Sequence, residues 1–399
     1  MLFIPARRRS IVLTLVLAAF LAPRVSAQTT PPSQPPPPAQ TPPDEPKSLV
    51  DRLKEPDQAG GLHFTEHFAV AFGGIKQGSG IALGPAFSNK FNDGGFVQLK
   101  AVYSIRKFWV LQARYDTRRF WKDRAITISR LRYYDAPELS LYALGPDSPD
   151  ARVEYGEKKL EASSVLQLRP TPAGRFSAGF GFERFRVGAD PLPVVIVNDQ
   201  PTEPLPLPGV DIRPRFAHLF GSAGYDTRLS PDYSRNGRFA EVELHHYHDW
   251  NDGLGSFHRV DTSLEQLIPT HGSRGVIGVG LQTFFTFDSG DGTVPFYMMP
   301  TLGGGNLLRA FPSYRFRDRD AMLFKGEYRW AVHKMIDVAG IYEAGMVAPR
   351  VEALSLSNVE HSYAIGLRAH TEKAALFRFD VAHGREGWGM RVGFTGGGS

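Results

Sequence analysis

From Leu62 to Phe394 the chain runs in segments of roughly ten residues in which apolar and polar side chains alternate, divided by Gly, Pro, Asn and Asp. Val97, Leu99, Ala101 and Tyr103 share one parity, with Gln98, Lys100 and Ser104 on the other. Val242 and Leu244 alternate with Glu241, Glu243 and His245, and Phe377, Phe379 and Val381 with Arg378 and Asp380. Trp388, Met390, Val392 and Phe394 oppose Gly389, Arg391 and Gly393. A period of two is that of a β-strand. It predicts sixteen strands, near 64–74, 78–88, 94–104, 106–118, 123–135, 158–170, 174–187, 214–227, 236–249, 255–269, 273–288, 320–332, 335–345, 361–371, 374–383 and 387–395. The expected fold class is all-β. Alternation alone leaves two homes for such strands. In a soluble sandwich the apolar face is the core. In a membrane barrel it meets lipid, and the charged face lines a wet interior.

The connections separate these readings. The four longest are 136–157, 188–213, 289–319 and 346–360, after the fifth, seventh, eleventh and thirteenth strands. All four follow odd-numbered strands, so they emerge at one end of an up-and-down sheet. If the first strand runs outward from the periplasm, that end is extracellular. Long outer loops with short inner turns are the pattern of outer-membrane barrels. A sandwich gives no reason for such sorting. The prediction is a transmembrane antiparallel β-barrel of about sixteen strands over residues 62–399.

The N-terminus agrees with export. Arg7, Arg8 and Arg9 precede an apolar run, Ile11 to Ala22, and Val25-Ser26-Ala27 has small residues where a signal peptidase cuts. Residues 1–27 read as a signal peptide. The run is too short for a spanning helix, which needs ~20 apolar residues. Residues 28–61 form a Pro- and Gln-rich periplasmic tether of polyproline character, with a short helix expected over Ser48 to Glu55. Cleavage changes the charge balance. The full chain carries a formal +5, but residues 1–27 hold four Arg and no acid, which leaves 42 basic and 41 acidic side chains. The basic excess is therefore no argument for nucleic acid, and none is expected as a partner. The chain has no Cys, which excludes disulfides, thiolate metal sites and a cysteine nucleophile. No later stretch reaches 18 consecutive apolar residues, so no spanning helix is expected.

Three segments carry a family resemblance. Asp226-Thr227-Arg228 closes the eighth strand, and Asn236-Gly237 opens the ninth. Gly303-Gly304-Gly305-Asn306-Leu307-Leu308-Arg309-Ala310-Phe311 lies in the connection after the eleventh. Phe324-Lys325-Gly326-Glu327-Tyr328-Arg329 and Ile341-Tyr342-Glu343-Ala344-Gly345 lie on the twelfth and thirteenth. In order and placement they resemble the DTR…G hairpin, the V-R-G-[FY] tip of the sixth outer loop, and the FxGxEYR and F-x-D-x-G segments of the BamA/TamA group. These bacterial surface antigens include two-partner secretion transporters and the barrels of patatin-like autotransporters. The resemblance spans residues 62–394.

It implies a sixth extracellular loop folded into the lumen, its tip Leu308-Arg309-Ala310-Phe311 clasped by the inner wall. Parity is compatible with this. Lys325, Glu327 and Arg329 share a face opposite Phe324, Tyr328 and Trp330, and charge near the midplane of a lipid face costs several kcal/mol, so the charged set should point inward. Asp337, Ala339, Ile341 and Glu343 then face the same lumen. Arg309 either meets Glu327 and Glu343 there or stays a solvated loop residue; the resemblance favours the clasp. Ala310 stands where the group usually has Gly, so the tip is expected to differ locally. Glu343 stands where it usually has Asp. The 28–61 segment has no room for the POTRA domains usual in the group, and a periplasmic protein docking on the tether is the expected substitute.

By this resemblance the chain would sit in the bacterial outer membrane among its lipids. It would assist insertion or translocation of a client protein or lipid, with no cofactor. The alternative is a passive or loop-gated pore without assembly activity. A barrel enzyme is a weak third reading, since Ser and His are scattered with no nucleophile-elbow spacing and no catalytic residue is assigned. The one histidine cluster, His245-His246-Tyr247-His248, places His246 and His248 on a common face. It lacks accompanying carboxylates, and a rim position is expected rather than a metal site. Gly303-Gly304-Gly305 lacks the Lys-Ser/Thr of a phosphate loop. Phe394, ending the last strand, is the expected C-terminal aromatic signal, followed by the tail 395–399.

Overall fold

Alternating apolar and polar side chains can be satisfied on both faces only if the strands pair, and pairing follows chain order. The computed structural model describes residues 61–394 apart from 189–193, 198–199, 205–206, 211, 231–232, 252–254, 273, 289–292, 306 and 372–374. These fall in one unit, Ser48–Ser399. The expected signal peptide, the tether up to residue 60, its short helix and the tail 395–399 lie outside the described residues.

One antiparallel sheet of 17 strands contains β1 (Gly61–His63), β2 (Phe68–Gly73), β3 (Ala82–Lys90), β4 (Phe96–Ser104), β5 (Trp109–Asp116), β6 (Ala125–Leu141), β7 (Val153–Leu168), β8 (Gly174–Gly188), β11 (Arg215–Asp226), β12 (Gly237–Asp249), β13 (Phe257–Thr270), β14 (Gly275–Asp288), β17 (Asp320–His333), β18 (Ile336–Ala348), β19 (Glu360–His370), β20 (Ala375–Gly384) and β21 (Gly387–Phe394). Two small hairpins complete the set: β9 (Val194–Val197) with β10 (Gln200–Pro204), and β15 (Thr301–Leu302) with β16 (Phe316–Arg317). Each wall strand pairs with the next in sequence, β8 passing to β11 and β14 to β17. With β1 a three-residue stub, the wall has the sixteen strands predicted. No ladder joins β21 to β1 or β2 among the described residues.

The sequence boundaries need two corrections. β6 and β7 run longer than expected, to Leu141 and from Val153, because a register shift between Ala136 and Leu139 absorbs Pro137. The connections 188–213 and 289–319 are not plain loops, since each carries a hairpin.

Connections 74–81, 105–108, 142–152, 189–214, 250–256, 289–319, 349–359 and 385–386 leave one end of the sheet. Those at 91–95, 117–124, 169–173, 227–236, 271–274, 334–335 and 371–374 leave the other, and all of these are short. The two faces differ as sharply. Leu99, Phe180, Leu219, Leu244, Ile365 and Met390 are exposed on the outer face. Asp337, Ala339, Ile341, Glu343 and Val347 of β18 are buried on the inner face. Apolar exposure this extensive suits hydrocarbon.

The interior toward the long-loop end is filled. Val294, Phe296 and Met299 pack with Phe185, Phe216 and Phe257 of the wall. Further along the same connection, Leu302, Leu308, Phe311 and Phe316 pack on Leu323, Ala339, Ile341 and Ala364. Residues 294–302 and 307–317 therefore enter the sheet and form its core. An arginine at Ile365, outward on β19, should cost about 2–4 kcal/mol if that face meets the bilayer centre. Urea titration of folding into vesicles measures it, and an effect near zero would count against the lipid-facing assignment.

Candidate functional site: the loop tip docked inside the barrel

The tip is built by its glycines. Gly303 and Gly304 have φ of 108° and 76°. A Cβ on Gly304 would lie 2.5 Å from Ser313 Oγ and 2.8 Å from its Cα, and one on Gly303 would strike the Pro312 carbonyl. The chain thus doubles back closely enough for Gly303 N–H to donate to the Leu307 carbonyl at 2.6 Å and Gly304 N–H to that of Phe311 at 3.0 Å. Leu308, at φ 59°, is fully buried, and Ala310 is absent from the positive-φ residues. The left-handed step falls two residues before the position where the resemblance places a glycine.

This fold of the tip presents Arg309 to the inner wall. Its backbone N–H donates to Glu343 Oε2 at 2.7 Å, and Nη1 donates to Glu343 Oε1. Nε donates to Asp380 Oδ2 at 3.2 Å. Asp380 also accepts from Arg368 Nη1 at 2.5 Å. Arg309 is 5% exposed and Glu343 fully buried. The adjacent residues bind too. Ala310 N–H donates to Ser362 Oγ at 3.1 Å, and Arg391 Nη2 donates to the Phe311 carbonyl. The tip therefore touches β18, β19, β20 and β21, the last four strands of the wall.

Two arginines that sequence reasoning did not single out anchor the returning limb. Arg315 pairs with Glu386 at 2.7 Å and donates to Ser148 Oγ and its carbonyl at 2.7 and 2.8 Å. Arg317 donates to the Phe296 carbonyl at 3.1 Å and lies over the rings of Phe296 and Tyr155. The signal was the run Tyr314-Arg315-Phe316-Arg317, whose alternation of cations and rings suits a segment with one side on an aromatic core.

No family model matches the sequence, and no curated protein matches it. The fold has clear counterparts among solved structures. BamA from Haemophilus ducreyi lacking POTRA domains 1-3 superposes with a TM-score of 0.60 at 14% identity, over 84% of this chain and 75% of that one. CdiB from Acinetobacter baumannii gives 0.52 at 10% identity, over 82% and 59%. CdiB from Escherichia coli gives 0.53 at 9% identity, over 82% and 61%. The chain spans less than two thirds of either CdiB. The fold is that of a BamA-like barrel.

The other motif residues occupy distinct places in the wall. Glu327 pairs with Arg329 on its own strand at 3.2 Å, and the second carboxylate described on Arg309 is Asp380, which sequence reasoning did not name. Lys325 lies opposite Glu343 in the β17–β18 register. Phe324 and Tyr328 are exposed on the outer face, and a Cβ at Gly326 would make only an ordinary 3.9 Å contact with Phe324. The Asp226-Thr227-Arg228…Gly237 hairpin is a closed unit. Asp226 accepts from Arg228 N and Nε at 2.9 and 3.1 Å and from Arg175 Nη2 at 2.5 Å. Arg228 Nη1 reaches Glu265 at 2.6 Å. Gly237, at φ 120°, lets the returning strand pass where a Cβ would sit 2.8 Å from Arg228 backbone. Phe394 ends β21 opposite Phe377.

The same short turn, 227–236, reaches inward. Tyr233 is buried, donates to Asp337 Oδ2 at 2.6 Å and stacks on His370 at 3.9 Å between centroids. Burial and then the Asp337 hydrogen bond push its hydroxyl pKa up to about 12, so it stays a donor. Arg329 Nη2 ties the turn down through the Ser234 carbonyl at 2.6 Å. Beside this turn, against the inner wall, lies a cavity of about 330 Å3, lined by Arg228, Lys325, Glu327, Arg329, Arg368 and Arg378 among others. His246 and His248 stand on the outer face with His258, 3.2 Å from His246 ring to ring nitrogen. Among the described residues no group of three His, Cys, Asp or Glu is placed to hold a metal.

Arg309→Ala would leave Glu343 buried without its partner, a loss of about 3–5 kcal/mol. Equilibrium unfolding in detergent should show it, Arg309→Glu should be worse, and Glu343→Arg should partly restore Arg309→Glu. Wild-type stability in the single variants would mean that the pair does not hold the loop.

Proposed function

We propose that this chain is an outer-membrane barrel that assists insertion or translocation of a protein or lipid, with the 289–319 loop as an internal clasp. The observation that carries this reading is the placement of the loop tip on β18–β21. Arg309, Ala310 and Phe311 bind residues of all four strands, and β21 borders the edge where no ladder to β1 or β2 is described. Movement of that edge and release of the tip are then coupled, because Arg391 of β21 donates to the tip directly and a Cβ at Gly389 would lie 3.1 Å from the Arg309 and Ala310 carbonyls. A lateral opening toward lipid at this edge is the route by which a client segment would pass.

The likeness to BamA and CdiB structures supports the reading at the level of fold. The filled interior supports it over a passive pore. Phe296, Leu308 and Phe311 occupy space a resting channel would need. Planar-bilayer recordings test the choice. The intact protein should conduct weakly, and removal of residues 303–313 should raise conductance to that of an open barrel. A deletion strain should lose particular surface proteins or lipids from its envelope. Large steady conductance of the intact protein together with an unaltered envelope in the deletion strain would instead establish a simple pore.

A further inference from the structure

On the outer face of one sector of the wall, the side chains change abruptly from apolar to cationic. Along β8 the outward residues are Phe176, Ala178, Phe180 and Phe182, then Arg184 and Arg186 toward the long-loop end. Arg184 is directly opposite Arg215 of β11, and Arg186 opposite Lys158 of β7. Like charges directly opposite in a sheet repel. Lys158 is relieved by Asp135 at 2.9 Å. Among the described residues no carboxylate pairs with the side chains of Arg184, Arg186 or Arg215, and all three are exposed.

Directly beneath them the outer face is hollowed. Ala162 and Ala217 flank Phe182 on the neighbouring strands, and these small residues, with Ser164, floor a trough of about 740 Å3 walled by Phe180, Leu219 and Trp250. Trp250 is exposed and packs on Phe182 at 5.8 Å between centroids, and its backbone N–H donates to the Arg215 carbonyl at 2.9 Å. An exposed tryptophan at the border of an apolar band marks the depth of the head groups.

We infer that this sector is a binding site for an anionic phospholipid. The phosphate sits among Arg184, Arg186 and Arg215, whose forks match its oxygens, and an acyl chain lies in the trough over Ala162 and Ala217. Charge complementarity above and a continuous apolar trough below fit one molecule with a phosphate head and a hydrocarbon tail. Neither feature belongs to the loop clasp, so the site does not depend on the proposed translocation activity. It rests only on the outer face meeting lipid.

The test uses the full chain in nanodiscs of phosphatidylcholine containing a minority of phosphatidylglycerol. Incorporation into the discs reads the membrane assignment independently. Native mass spectrometry of the released protein should show phosphatidylglycerol retained several-fold over its share of the bilayer. That enrichment should vanish in the triple variant Arg184→Gln, Arg186→Gln, Arg215→Gln, and fall at high salt. Ala162→Phe, which fills the trough and leaves the arginines, should reduce retained lipid of both kinds. Absence of enrichment in the wild-type protein would overturn the proposal, as would its persistence in the triple variant. Should the triple variant fail to fold, Arg215→Gln alone decides on the same criterion. A variant-sensitive dimer mass in place of bound lipid would assign the sector to a second copy of the chain and overturn the lipid.

Discussion

Taking a guanidinium out of water costs several kcal/mol unless its charge is met in place. Arg309 is placed by the turn of its loop where Glu343 and Asp380 meet that charge from two strands of the wall. Much else follows from this pairing. With the tip held, Leu308 and Phe311 are set against β17–β20, and the returning limb can put Arg315 on Ser148 and Arg317 on Tyr155 across the lumen. The loop is thus fastened at several points around the wall, and the barrel acquires a core that its own inward residues could not form.

The charge is shared rather than isolated. Asp380 serves Arg309 and Arg368 together, and Lys325 stands opposite Glu343 in register. A buried ionic network is costly to assemble and costlier to break in part, so it favours one geometry over near neighbours. Its location on the last four strands gives that specificity a mechanical meaning. In the proposed function, displacement of β21 would disturb the Arg391 hydrogen bond to Phe311, and the tip would sense the edge of the sheet. At the other end, the Tyr233 turn closes on Asp337 and His370, so the lumen is bounded from both sides by inserted chain.

The outer surface follows a different rule. There the side chains have no lumenal partner to satisfy, and what they face decides their type. Phe180, Leu219 and Ile365 are suited to hydrocarbon, whereas Arg184, Arg186 and Arg215 stand where, on the proposed placement, it would end. The two faces are written on alternate residues of the same strands, which is why a single run such as Phe182-Glu183-Arg184 serves the interior and the membrane boundary together.

Strand number, strand order, the sorting of long and short connections and the facing of each residue were legible in the chain itself. All four depend on a period of two and on breaks between periods, which are local properties of sequence. The glycine-led tip and Arg309 were picked out through a family pattern. The identity of its second carboxylate was not. Asp380 lies 71 residues further on, and only the pairing of β18, β19 and β20 in one sheet brings it within reach of a loop tip held on β18. The intrusion of Tyr233, the anchoring by Arg315 and Arg317, and the confrontation of Arg184 with Arg215 were likewise decided by the tertiary structure. Parity told which side each residue faces. Register between strands and the path of an inserted loop are set by pairings distant in sequence, and no local pattern contains them.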